Sequence, residues 1–227
     1  MEFMLDTVNI EKIQYFQSIF PISGVTSNPT ILKNEGKIDL FSHFKKIQTI
    51  IGQNSLHVQV VGETVESIIS DAETIVGELG METYIKIPIT IDGLAAIKKL
   101  KARGFKITAT AIYSEFQGYL AIAAGVDYLA PYYNRMENLN IDAGLMIESL
   151  VSEIARTQSS SKVLAASFKN VAQVNEACRK GAQSVTVGLE IFEQAFMMPS
   201  IEKAVTDFHE DWRQTFSTET IKEYLNT

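Results

Sequence analysis

Short β-branched runs alternate with helix-patterned stretches from residue 2 almost to the end of the chain. Eight segments read as strands: residues 2–5, 24–26, 56–60, 83–87, 106–111, 128–131, 162–166 and 184–187. Between them apolar residues recur three or four positions apart, as in Ile10, Ile13, Phe16 and Phe20 and in Leu94, Ile97 and Leu100, which is the period of one helix face. Each helical stretch is long enough to cross back over a sheet, so the alternation predicts right-handed βα units and a parallel sheet. Gly80, Gly104, Gly125 and Gly181 stand a few residues ahead of a strand, where a helix can end in a left-handed turn.

Eight such units could close into a barrel or spread into an open sheet. Two features favour closure. No glycine-rich dinucleotide fingerprint follows the first strand, where LDTVN stands instead, and polar residues sit at the C-terminal ends of strands along the whole chain rather than at one crossover. The expected fold is therefore α/β, a (β/α)8 TIM barrel in a single domain over residues 1–227. Beyond the eighth unit, Ile201, Val205, Phe208, Trp212 and Phe216 continue at helical spacing. This predicts an extra C-terminal helix within 199–227 whose aromatic stripe either caps its own barrel or packs on a neighbouring subunit.

Composition narrows the function classes. The 227 residues are 46% hydrophobic, enough for one barrel core of the usual size of about 250 residues. Net charge is -7, with 20 basic and 27 acidic side chains interspersed, so no basic stripe exists to grip a nucleic-acid backbone or an anionic membrane. The single cysteine, Cys178, can form no internal disulfide and fits a reducing compartment. Its spacing with Val171 and Val174 reads as core packing. The N-terminus MEFMLDTVNI has neither a basic region nor a long apolar stretch of the kind found in a leader. A cytoplasmic protein is expected.

The chemistry is concentrated at strand ends. Lys86 lies in the middle of the strand TYIKIPIT, and a parallel strand covered on both faces buries whatever it carries. An unpaired buried ammonium is costly, so burial pushes the amine toward its neutral form, the nucleophile that makes carbinolamines and Schiff bases. The alternative is a structural ion pair with Asp6. Around Lys86 stand Asp6 at the end of the first strand, Thr26 and Asn28 after the second, Gln59 in the third, Thr110 in the fifth, Tyr132 and Arg135 after the sixth, and Ser167 after the seventh. Taken singly, Asp6, Asn28 and Ser167 could each be a helix cap; a set converging on one barrel mouth is harder to explain so. Arg135, permanently charged and able to bind two oxygens, is the candidate for a phosphate, helped by Ser167. His43, His57 and His209 show no metal-ligand spacing, so no metal and no cofactor are predicted.

These residues give the chain a family resemblance. From LDT at residues 5–7 through GVTSNPTI, KIPIT, TAIYS, APYYNR and AASFK to HEDW, it resembles the short transaldolase family, and within it the fructose-6-phosphate aldolase branch. The resemblance implies a retro-aldol reaction with Lys86 as the Schiff-base lysine and with Asp6, Thr26 and Asn28 on the hydroxyl groups of the bound donor. Where the transaldolase pattern has glutamate in the third strand this chain has Gln59, and where that pattern has phenylalanine it has Tyr132; Ala130 also fits the aldolase branch. A glutamine takes no proton, so the Tyr132 phenol becomes the acid-base group, acting on a water held with Gln59 and Thr110.

The implied activity is reversible cleavage of fructose 6-phosphate to dihydroxyacetone and glyceraldehyde 3-phosphate, with Arg135 and Ser167 on the phosphate. The alternatives are a transaldolase that passes the dihydroxyacetone unit between sugar phosphates, and a catalytically silent sugar-phosphate-binding scaffold. The resemblance further implies a homo-oligomer, a pentamer or a decamer of two pentamers, with the C-terminal helix exchanged onto a neighbour.

Overall fold

The computed structural model describes residues 1–225. Its strands are β1 (Glu2–Asp6), β2 (Ile22–Thr26), β3 (Ser55–Gln59), β4 (Tyr84–Pro88), β5 (Ile107–Ile112), β6 (Tyr128–Pro131), β7 (Lys162–Ala165) and β8 (Ser184–Val187). They close in chain order into a parallel barrel, with β8 returning to β1 through Glu2 beside Ser184 and Leu5 beside Val187. The expected strands are thus all present, shifted by a residue or two; β2 also takes in Ile22 and Ser23 ahead of Gly24.

Helices α1 (Ile10–Ile19), α2 (Pro29–Asn34), α3 (Leu40–Ile51), α4 (Val65–Leu79), α5 (Ile91–Lys101), α6 (Glu115–Ala123), α7 (Tyr133–Asn138), α8 (Ala143–Thr157), α9 (Val171–Arg179) and α10 (Leu189–Phe196) follow or lie between the strands. The outer ring forms because one stripe of each long helix is apolar. In α4 that stripe is Ile68, Ala72, Ile75 and Leu79, all buried, and in α8 it includes Met146, Ile147, Leu150 and Ile154. A polar side chain starts each of the longer ring helices: Asn9, Asp39, Thr64, Thr90, Ser114, Asp142 and Asn170 each accept a backbone N–H in the first turn, worth about 1 kcal/mol apiece. The four glycines expected to end helices have φ between 76° and 90°, a region that costs other residues strain.

Inside the barrel polar bonds run beside a small apolar cluster of Met4, Tyr128 and Leu164. The His57 ring bonds to Thr108 on β5 across β4, Thr26 meets Thr186 on β8 across β1, and the Tyr128 hydroxyl donates to Glu2. Bonds that skip a strand can form only in the lumen. They fix which alternate residues point inward: Tyr84, Lys86 and Pro88 on β4, with Ile85 and Ile87 outward under the helices.

One local expectation fails. Cys178 is half-buried, and α9 instead buries Gln173 and Ala177. The buried face runs through Gln173 because its polar ends are satisfied: Oε1 accepts the Lys169 N–H at 2.7 Å and Nε2 donates to Asn134 at 3.1 Å.

The chain divides into two compact units, Met1–Leu189 and a second beginning at Glu190. The second contains α11 (Pro199–Phe216) and α12 (Ile221–Tyr224). Within it Trp212 packs on Phe216 with ring centroids 4.4 Å apart and donates its indole N–H to Thr218 at 3.2 Å. The rest of the aromatic stripe, Ile201, Val205 and Phe208, is exposed. Among the described residues no helix is long and apolar enough to cross a membrane.

Candidate active site

Lys86 occupies the lumen side of β4 and is 3% exposed. Burial pushes its amine below the usual lysine range, and the Asp6 carboxylate pulls in the opposite direction. Among the described residues the Lys86 amine has no hydrogen bond or ion pair. The structural ion pair with Asp6 is therefore absent: the close partner of Asp6 is Thr26, whose hydroxyl donates to Oδ1 at 2.6 Å.

The neighbours of Lys86 are set by register. Gln59 on β3 and Thr108 on β5 are its cross-strand partners. Gln59 Oε1 is buried and has no hydrogen-bond partner among the described residues, a state that costs about 1–3 kcal/mol and is most readily explained at a site that receives a donor from outside the protein.

Opposite, Asp6 and Thr26 are themselves cross-strand partners. Neither Asp6 nor Ser167 caps a helix, since Asn9 caps α1 and Asn170 caps α9. Asn28 does cap: its Oδ1 accepts the Ile31 N–H at 3.0 Å in α2, which leaves its amide N–H groups and one Oδ1 lone pair for another partner.

A second group forms where β5 and β6 end. Thr110 donates to the Tyr132 phenol oxygen at 3.1 Å, which turns the phenolic proton away from Thr110. Burial pushes the Tyr132 phenol up, and the Thr110 bond and Arg135 partly offset this, so at neutral pH the group is a proton donor. The Arg135 guanidinium lies 4.7 Å from the Tyr132 ring centroid and donates a long bond, 3.4 Å, to the Tyr113 hydroxyl. Thr110 is aimed by an irregularity. The β5–β6 register shifts between Thr110 and Ile112, and Ala111 there has φ 56°, a left-handed conformation that costs a non-glycine residue about 1–2 kcal/mol. Ser167 is also left-handed, at φ 64°, and its carbonyl accepts the Asn134 N–H at 3.0 Å, tying it to the turn that carries Arg135.

The arrangement is a desolvated amine, a carboxylate opposite, a neutral phenol and a guanidinium at one barrel mouth. Residues 3–226 match the profile of the family described as Transaldolase/Fructose-6-phosphate aldolase. The chain belongs to this family. A Streptococcus pneumoniae protein named "Probable fructose-6-phosphate aldolase" is 56% identical over 213 residues, which cover 93% of this chain and 96% of that relative.

Some residues that the structure places beside these side chains in this transaldolase/aldolase-family chain escaped the sequence. Thr186 bonds to Thr26 at 2.5 Å; since a carboxylate only accepts, Thr26 gives its proton to Asp6 and Thr186 donates to Thr26. Tyr113 meets Tyr132 edge-on at 5.7 Å. The third, His57, lies in the lumen with its Nδ1 2.8 Å from Thr108. A polar residue alternating with apolar ones, as in SVTV and LHVQ, was the available signal for Thr186 and His57.

Proposed function

We propose that this chain is a class I aldolase that reversibly cleaves fructose 6-phosphate to dihydroxyacetone and glyceraldehyde 3-phosphate through an imine on Lys86. The observation that carries this reading is a lumen amine, 3% exposed, with its pKa pushed down by burial and without an ion-pair partner among the described residues. A lowered pKa raises the share of the neutral, nucleophilic amine.

In this scheme Lys86 Nζ adds to the ketose carbonyl, water leaves, and the nitrogen remains as a protonated imine. The phenol of Tyr132, through a water held with Gln59 and Thr110, supplies the proton that makes the imine cationic, and the phenolate left takes the C4 hydroxyl proton as the C3–C4 bond breaks toward that electron sink, yielding an enamine and the aldehyde. The Tyr132 phenol, acting on that water, returns a proton to C3 of the enamine, and hydrolysis frees dihydroxyacetone and the amine. Asp6, Thr26 and Asn28 hold donor hydroxyls. Arg135 and Ser167 hold the phosphate, where a guanidinium stacked on Tyr132 places charge and acid side by side.

Borohydride treatment with dihydroxyacetone, followed by peptide mass spectrometry, tests the imine directly. An adduct on the Lys86 peptide is expected, and its absence would favour a silent scaffold. Turnover of fructose 6-phosphate without erythrose 4-phosphate tests the branch; dependence on that acceptor would make the chain a transaldolase. We further infer a cytoplasmic homo-oligomer, pentameric or decameric. The exposed stripe of Ile201, Val205 and Phe208 supports this, and sedimentation of a Phe208→Glu variant, expected to dissociate, tests it.

A further inference from the structure

The scheme above leaves unused a second buried titratable group in the lumen. His57 is fully buried. Its Nδ1 lies 2.8 Å from Thr108 Oγ1 and its Nε2 3.0 Å from Ser55 Oγ. The ring stacks on Tyr84 at 4.6 Å and 10°, and meets Tyr128 edge-on at 5.2 Å. The bond to Thr108 crosses from β3 to β5 over β4, where the inward residues are Tyr84, the register partner of His57, and Lys86, the register partner of Thr108. It therefore crosses β4 between the register positions of Tyr84 and Lys86.

The proton positions follow from Ser55. Its hydroxyl has acceptors of its own in the Ser23 carbonyl at 3.3 Å and Met4 Sδ at 3.8 Å, so it accepts from His57 Nε2–H. Nδ1 is then unprotonated, and the Thr108 O–H donates to it. The Thr108 oxygen is left with lone pairs to offer to the rest of the lumen, on the side of its neighbour Lys86.

The groups around the imidazole keep it neutral. Lys86 and Tyr84 face it from β4 and Tyr128 from β6; the two tyrosine rings stand between it and Glu2, Lys106 and Lys162, whose side chains meet those rings. Its partners on β2 and β5, Thr26 and Thr108, are uncharged. Burial first, and the Lys86 charge second, hold His57 well below the usual imidazole range. A positive Lys86 nitrogen thus sits above a neutral, hydrogen-bonded floor instead of a second cation.

We propose that His57 is a positioning residue for the imine chemistry: by accepting a hydrogen bond from the Thr108 hydroxyl it leaves the Thr108 lone pairs free on the side of Lys86 and so stabilises positive charge on that nitrogen. The proposal rests on the imine at Lys86.

His57→Phe keeps an aromatic ring between Tyr84 and Tyr128 but removes both hydrogen bonds, whereas His57→Asn retains an acceptor near the Nδ1 position. Borohydride trapping of the dihydroxyacetone adduct is followed against pH, together with kcat and KM for fructose 6-phosphate cleavage and the Tm of each variant. His57→Phe is expected to move the alkaline limb of the trapping profile down by about one pH unit and to lower kcat about tenfold with KM unchanged. His57→Asn should restore most of both. Thr108→Val should reproduce the loss, and the double variant His57→Phe with Thr108→Val should be no worse than either single one. A His57→Phe protein with the unaltered pH profile and kcat, or losses at the two positions that simply add, would overturn the proposal. Failure of the unsubstituted protein to trap any adduct would instead refute the imine itself.

Discussion

The Thr26 hydroxyl stands between two oxygens, 2.6 Å from Asp6 Oδ1 and 2.5 Å from Thr186 Oγ1. Its one proton goes to the carboxylate, so Thr186 supplies the donor that Thr26 accepts, and a relay of three residues from β8, β2 and β1 fixes the Asp6 side chain opposite Lys86. Thr186→Val keeps the volume and removes that donor. The loss of about 1 kcal/mol should lower Tm by roughly 2–4 °C without affecting the folded structure, and calorimetry reads it. An unchanged Tm would show that Thr26 finds another donor.

Tyr132 accepts from Thr110 and so directs its own proton away from Thr110. Tyr132→Phe should reduce aldol cleavage by about 10²–10⁴, the range for loss of a general acid-base group, while borohydride trapping at Lys86 persists. Steady-state kinetics beside the trapping assay separates the two steps. Undiminished turnover in this variant would remove the phenol from the scheme.

The buried Lys86 amine makes stability depend on pH. Its folded pKa is pushed below the usual value of 10.5 by burial, so between the folded pKa and 10.5 the unfolded chain binds the extra proton. Stability contributed by this group therefore rises with pH through that window, by at most about 1.4 kcal/mol per pH unit, and falls as pH is lowered toward the folded pKa. Lys86→Met should flatten that slope and raise stability at neutral pH, as well as abolish the adduct. Urea unfolding of both proteins across the alkaline range checks it; parallel slopes would mean that the amine is solvated.

Ala111 holds φ 56° where β5 bulges. Ala111→Gly removes the steric cost of that conformation while loosening the unfolded chain, and the first effect is the larger where φ is positive. A gain of about 1 kcal/mol and a retained Thr110–Tyr132 geometry are expected. A variant of lower Tm would show that the Ala111 methyl group packs more tightly than its backbone is strained.

Much of the site could be read along the chain because its cause is local. A lysine in a parallel strand flanked by Ile85 and Ile87 is buried whichever way the barrel is built, so Lys86 is conspicuous before any folding. Asp6, Asn28 and Ser167 were ambiguous for an equally local reason. Residues that cap helices are the same short polar types that bind hydroxyl groups, and both occur where a strand ends. The structure divides them: Asn28 caps α2, Asp6 bonds to Thr26, and Ser167 belongs to a left-handed turn beside Arg135.

The sequence by itself determined the eight βα units, their order and the burial of Lys86, because hydrophobic periodicity and the two-sided burial of parallel strands act over a few residues. Only the tertiary structure decided that Thr26 meets Thr186, 160 residues away, and that His57 reaches Thr108 across an intervening strand. Those contacts depend on closure and stagger of the barrel, which set the layer in which each inward side chain lies. The left-handed turn at Ala111 is also a tertiary outcome, since alanine has no intrinsic preference for it and only the pairing of β5 with β6 holds it there.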